Sequence, residues 1–352
     1  MKRIHNLLLF LFMTTVLLSC GEKKEKEQPK FMQKEAVPGL HNKATVFFQP
    51  LPESAPNEAN PATEAKIKLG HVLYFDNRLS KNNTISCNSC HNLATYGVDN
   101  KPTSPGDAGE FGPRNSPTVL NAALHIAQFW DGREPDVEAQ AGGPILNPIE
   151  MAMPDSGAVM QRLKGIKGYQ ELFKAAYPDD EDPFTYQNLR YAIGAFERQL
   201  LTPSRFDKYL AGDKTALTEA EQKGLQTFIE TGCITCHTGP LVGGNMFQKL
   251  GLYGSYAELT GAEKDDLGKY EVTGNENDKY IFKVPSLRNV EKTYPYFHDG
   301  GVEKLHDAVK IMAKLQLNKE LTDEQADAIV TFLKSLTGEV PAQYKEAPEM
   351  PM

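Results

Sequence analysis

The sequence predicts a mainly α-helical chain built as two related units in tandem with long loops, and three observations predict it. A run of one pattern occurs twice, Cys87-Asn88-Ser89-Cys90-His91 and Cys233-Ile234-Thr235-Cys236-His237, and takes four of the five cysteines. Each run sets two thiols for alkylation by haem vinyl groups, with a histidine one residue on to ligate the iron. With 5 Cys and 8 His in 352 residues, chance supplies about 0.002 such runs. The two units are therefore read as cytochrome c-type haem domains carrying two covalently bound haem c. The second observation is a capped amphipathic segment ahead of each run. The third is that stretches rich in Gly, Pro and Asn, at 97–118, 140–155 and 239–299, separate the helical segments. Loops of that length are commonly where ligands are handled.

Taken in order, the chain opens with Met1-Lys2-Arg3, an apolar run from Leu7 to Leu18, and Leu17-Leu18-Ser19-Cys20-Gly21. This reads as an export signal over 1–19, too short for a comfortable membrane span. Its end resembles the lipobox of bacterial lipoproteins, which makes Cys20 a lipid-anchored N-terminus and places the protein in the periplasm, tethered to a membrane. Residues 20–45, largely Lys, Glu and Gln from Glu22 to Lys34, read as a disordered tether with too little apolar surface to fold. Asn60-Pro61 then offers a cap and first-turn proline for a helix running to Phe75. Further helices are expected at 156–176, at 186–200 around Leu189, Ile193, Phe196 and Leu200, and at 303–316.

A boundary near Gly212 divides the globular chain into units over 46–211 and 212–345. In the second, Thr218 and Glu221 form a capping box and Leu225, Phe228 and Ile229 an inner stripe. A last helix starts at Thr322, with Gln325 completing its box, and stops at Gly338. The net charge of −8 argues against a nucleic-acid partner. Zinc held by Cys-x-x-Cys pairs would need more ligands close by, and the two pairs stand far apart in sequence with a histidine directly after each. A thioredoxin-like pair would sit in a βαβ pattern, which neither run shows.

What lies opposite each iron decides the function. A second strong ligand makes a haem c an electron carrier, and an open face lets it bind peroxide or oxygen. His41, His71, His125, His298 and His306, with Met151, Met153, Met246 and Met312, are the available ligands. Spacing alone does not choose among them.

Longer strings do. Leu73-Tyr74-Phe75-Asp76-Asn77-Arg78-Leu79-Ser80, Gly112-Pro113-Arg114-Asn115-Ser116-Pro117-Thr118, Ala127-Gln128-Phe129-Trp130-Asp131-Gly132-Arg133 and Lys283-Val284-Pro285-Ser286-Leu287-Arg288-Asn289 occur in this order. Tyr294-Pro295-Tyr296-Phe297-His298-Asp299-Gly300-Gly301 and Val309-Lys310-Ile311-Met312 follow. With them the chain resembles bacterial dihaem cytochrome c peroxidases over almost all of its mature length.

The resemblance implies an enzyme that reduces H2O2 to water with electrons from a small cytochrome c or cupredoxin. It implies that the haem at His237, with Met312 as second ligand, accepts electrons, and that the haem at His91 takes peroxide. Trp130, the only tryptophan, matches the residue between the haems. Glu150 matches the carboxylate over the peroxidatic iron, where it would move a proton between the peroxide oxygens, and Gln140 matches its polar neighbour. Asn115, Thr293 and Pro295 match positions that bind Ca2+, the last two through backbone carbonyls, a donor set that suits a hard cation. Family members are often homodimers.

One departure stands out. Many members carry, in the loop after the first haem, a histidine that ligates the ferric peroxidatic iron; here Thr103 to Gly112 carries Asp107 at that place. The expectation is a ferric haem already open, unless His71 or His125 substitutes. Two other readings remain at this point: a dihaem electron carrier without peroxidase activity, and an oxidase that modifies tryptophans in a partner protein. Relatives of the latter kind use a tyrosine where Met312 is expected.

Overall fold

The computed structural model describes residues 36–262 and 265–352. The export signal, Cys20 and most of the tether lie outside the described residues. Among these residues nine helices have six or more residues. They are α1 (Leu40–Phe47), α2 (Glu64–Phe75), α3 (Ser156–Lys164), α4 (Lys167–Ala176), α5 (Tyr186–Glu197), α6 (Arg205–Leu210), α7 (Glu219–Thr231), α8 (Leu305–Leu317) and α9 (Asp323–Lys334). The fold is mainly helical, as expected. Leu40 and Ala44 of α1 are buried with Phe48, so ordered packing begins ahead of residue 46.

Local chemistry explains most of the boundaries. Both capping boxes form: Thr218 and Glu221 close the start of α7, and Thr322 and Gln325 close that of α9. The helix before the first haem run begins later than Asn60-Pro61 suggests, because Thr63 is its cap, accepting from Lys66 N–H. Asn60 is buried and donates instead to Glu138 Oε1 and the Tyr191 carbonyl. The helix expected over 156–176 divides at Gly165-Ile166 into α3 and α4, which bury Val159, Met160 and Leu163, then Tyr169, Phe173 and Ala176. The last helix ends at Lys334, short of Gly338, whose N–H goes to Asn289 Oδ1.

One helix crossing occurs twice. A Cβ added to Gly70 of α2 would lie 1.9 Å from the Ala192 carbonyl oxygen and 2.8 Å from Phe196 Cβ on α5. A Cβ added to Gly224 of α7 would lie 2.0 Å from the Ala328 carbonyl oxygen and 2.9 Å from Phe332 Cβ on α9. In each case glycine lets the backbones touch, and the partner positions are four residues apart, one helical turn. Each crossing precedes a haem run: α2 leads to Cys87, and α7 to Cys233 through Gly232, which caps it at φ 100. The duplication expected from the motifs is thus visible in the packing.

Within 239–299 the one sheet among the described residues is a two-stranded antiparallel ribbon, β1 (Phe247–Lys249) with β2 (Ile281–Lys283), Phe247 opposite Lys283. Arg288, 1% exposed, ties this segment to α6 by two hydrogen bonds to Asp207, of 2.5 and 2.8 Å, and by bonds to the Pro240 carbonyl. Burial alone would raise the Asp207 carboxyl; the Arg288 hydrogen bonds and charge hold it below its ordinary value.

Gly224→Ala is expected to lower the unfolding free energy by about 1–3 kcal/mol in urea titrations, because overpacking at a backbone contact forces the helices apart. An unchanged midpoint would contradict the close crossing.

Candidate active site

The two haem runs open onto two cavities that share a wall. Cys87, Cys90 and His91 line the first, with some 1550 Å³ of unfilled space, part of it open to solvent. Cys233, Cys236 and His237 line the second, with about 1720 Å³ of unfilled space, part of it likewise open to solvent. Asn115 to Thr118, Phe129 and Trp130 border both. The indole N–H of Trp130 donates to the Asn115 carbonyl at 2.9 Å, and the Trp130 carbonyl accepts from Lys283 N–H at 2.8 Å. The tryptophan is therefore fixed from both sides of the wall.

The donor groups fit a covalently attached haem in each cavity. All four cysteines of the runs are free, and burial pushes every thiol above its ordinary pKa, Cys233 to about 12. A redox-active Cys-x-x-Cys pair needs the opposite shift. The Nδ1 of His237 lies 3.1 Å from the Val242 carbonyl. A carbonyl only accepts, so Nδ1 carries the proton and Nε2 keeps the lone pair for iron. Burial holds this imidazole down to about 4, neutral at physiological pH. His91 is also shifted down by burial, but its Nδ1 is enclosed beside the Pro117 and Gly97 backbone without a bond of good geometry.

Glu150 and Gln140 border the His91 cavity. Burial raises the Glu150 carboxyl, while the charge of Arg133 and a 3.1 Å hydrogen bond from Asn147 Nδ2 pull the other way. Arg133 lies over the Phe129 ring and pairs with Asp131 at 2.8 Å, so it is braced at the same wall as Trp130. Glu197, 4% exposed, faces this cavity too; burial raises it to about 8, with Glu138 reinforcing the shift and Arg198 opposing it. Neither Arg133 nor Glu197 was singled out by sequence reading. Arg133 stood in a string already noted, whereas no local pattern marks Glu197, the last residue of α5.

Asp107 does not enter the cavity lining. Its carboxylate accepts from Thr84 Oγ1 at 2.5 Å and Asn82 N–H at 3.0 Å, and its own N–H donates to the Glu150 carbonyl at 2.7 Å. Burial alone would raise it, but the Thr84 and Ser80 hydroxyls and nearby backbone N–H groups hold it below its usual value. It anchors the turn that carries Glu150. Neither His71 nor His125 lines the His91 cavity, where His91 is the one histidine among the described lining residues. His71 stacks on Phe196, and His125 faces the other cavity. Met151 borders the His91 cavity from the core at 4% exposure.

In the His237 cavity Met312, on α8, is the one methionine among the described lining residues. Asn115, Thr293 and Pro295 border it as well. Asn115 Nδ2 donates to the Lys101 and Pro102 carbonyls, and Asn100 Nδ2 to those of Lys292 and Tyr294 on either side of Thr293. Among the described residues no group of three or more His, Cys, Asp or Glu converges as a metal site.

Comparison with known proteins shows the family. Residues 64–215 fit the family described as di-haem cytochrome c peroxidase, and residues 221–337 fit the cytochrome c family. The chain is 47% identical to the cytochrome c551 peroxidase of Nitrosomonas europaea over 84% of its length and 85% of that protein's. This chain belongs to the dihaem cytochrome c peroxidase family. It is 43% identical to the cytochrome c551 peroxidase of Pseudomonas aeruginosa, over 86% of this chain and 87% of that one. Among solved structures, a MauG-like protein associated with microbial copper homeostasis superposes with a TM-score of 0.74 at 29% identity, over 85% of this chain and 97% of that one. Two cytochrome c-type domains in tandem imply two haem c in a member of this family.

Asp107→Ala is expected to cost about 1–3 kcal/mol of stability, by stranding the Thr84 and Asn82 donors, and to leave the ferric haem absorption unchanged. Because the Asp107 pKa is depressed on folding, its contribution is present above the ordinary carboxylate pKa and fades as pH falls through the folded value. A shift of the ferric Soret band in this variant would show that Asp107 acts at the iron after all.

Proposed function

We propose that the chain reduces hydrogen peroxide to two waters in the His91 cavity, drawing two electrons through the His237 cavity. The observation that carries this reading is the pairing of His91 with a half-buried, pKa-raised Glu150 in a cavity whose described lining holds no second histidine. When bound there, haem c supplies an iron that takes peroxide and stores oxidising equivalents. Glu150 takes the proton from one peroxide oxygen and returns it to the departing oxygen, and Gln140 orients the substrate by hydrogen bonding. Two protons and two electrons from outside then complete H2O2 + 2H+ + 2e− → 2H2O. The charge of Arg133 opposes the rise that burial imposes on the Glu150 carboxyl.

On the other side of Trp130, His237 and Met312 would complete the coordination of an electron-accepting haem, since a thioether favours the reduced iron and raises the potential. Trp130, held in the common wall, lies on the path between the two centres. Asn115 Oδ1 with the Thr293 and Pro295 carbonyls would hold one Ca2+, the remaining sites filled by water. The donor of electrons is a small cytochrome c or cupredoxin. The division near Gly212 assigns peroxide chemistry to 46–211 and electron entry to 212–345. The apolar N-terminal run and Cys20 support export to the periplasm and a lipid anchor, and a homodimer is consistent with the family.

Glu150→Gln tests this directly. The rate of peroxide reduction is expected to fall about 10²–10⁴-fold with both haem spectra retained. In the parent protein the rate falls as pH drops through the Glu150 pKa, and that acid limb should vanish in the variant. A variant within twofold of the parent would remove Glu150 from the mechanism.

A further inference from the structure

The wall of the His237 cavity contains a buried cation with no anionic partner among the described residues. Lys283 is 6% exposed, and its Nζ lies 2.9 Å from His125 Nδ1. Burial lowers it, to about 8, with no acidic side chain acting on it among the described residues. His125 is held well below its ordinary pKa by burial and by the Lys283 charge, so it is neutral. An ammonium only donates, so His125 Nδ1 accepts and the ring proton sits on Nε2. That Nε2 is buried and has no partner among the described residues. Both side chains line the cavity, and Lys283 is joined to Trp130 through its own backbone N–H.

A buried ammonium facing only a neutral imidazole is costly, and so is a buried N–H without an acceptor. Both defects are repaired by a single carboxylate. Haem c in this cavity carries carboxylates of its own, the porphyrin propionates. We propose that Lys283 and His125 form the carboxylate seat of the His237 cavity, the ammonium and the Nε2–H together receiving one haem propionate beside Trp130. The pair acts as a positioning device: it fixes the haem edge against the tryptophan, and its positive charge favours the reduced iron.

The inference rests on the haem reading of this cavity, so the test begins by counting haem c in the purified holoprotein. Fewer than two would sink that reading rather than the seat. With two present, Lys283→Gln is expected to lower the midpoint potential of the high-potential haem by a factor of about ten in its one-electron equilibrium, about 59 mV. Lys283→Arg, which keeps the charge and the donors, should stay within twofold of the parent. Resonance Raman of the propionate bending modes should change in Lys283→Gln and in His125→Phe, and remain in Lys283→Arg. A Gln variant within twofold of the parent potential, or Gln and Arg variants shifted equally, overturns the proposal. Where Lys283→Gln fails to fold, His125→Phe decides it, with unchanged propionate modes counting against the seat.

Discussion

The wall around Trp130 is the constraint on which the rest depends. Its indole N–H is tied to the Asn115 carbonyl, and its backbone carbonyl to the Lys283 N–H, so residues from widely separated parts of the chain meet on one residue. Arg133, two residues after Asp131, braces Phe129 on one side and tempers the Glu150 carboxyl. Lys283 and His125 stand on the other. A change at the wall therefore reaches both cavities, which the proposed coupling of a peroxidatic centre to an electron-accepting one requires.

The scaffold behind the wall is repetitive and the cavities in front of it are not. The same glycine crossing sets α2 against α5 and α7 against α9, and each delivers a haem run. After that the two copies diverge. His237 has its Nδ1 fixed by the Val242 carbonyl and Met312 in the same cavity, whereas His91 has no such bond and faces Glu150 and Gln140. Neighbouring residues are thus able to give chemically identical attachments different work.

Much of this was legible in the chain. The Cys-x-x-Cys-His runs, the boxes Thr218/Glu221 and Thr322/Gln325 and the apolar stripes are local patterns, and local patterns survive folding. Thr63 in place of Asn60 as the α2 cap was missed because Asn60 is recruited by Glu138 and Tyr191, partners far away in sequence. No local pattern marks Gly70 and Gly224; only the approach of a second helix shows why they are small. Glu197 and the Lys283–His125 pair likewise depend on what the fold brings together. Asp107 was recognised as a departure from the family pattern, but its use as an anchor for the Glu150 turn became visible only with its hydrogen bonds.

The proposed function depends on an asymmetry between a His91 haem left open and a His237 haem closed by Met312. Stopped-flow mixing of the fully ferric holoprotein with H2O2, without prior reduction, tests it most directly. Rapid spectral change is expected, since no histidine other than His91 lines that cavity among the described residues. No reaction until one haem has been reduced would contradict it.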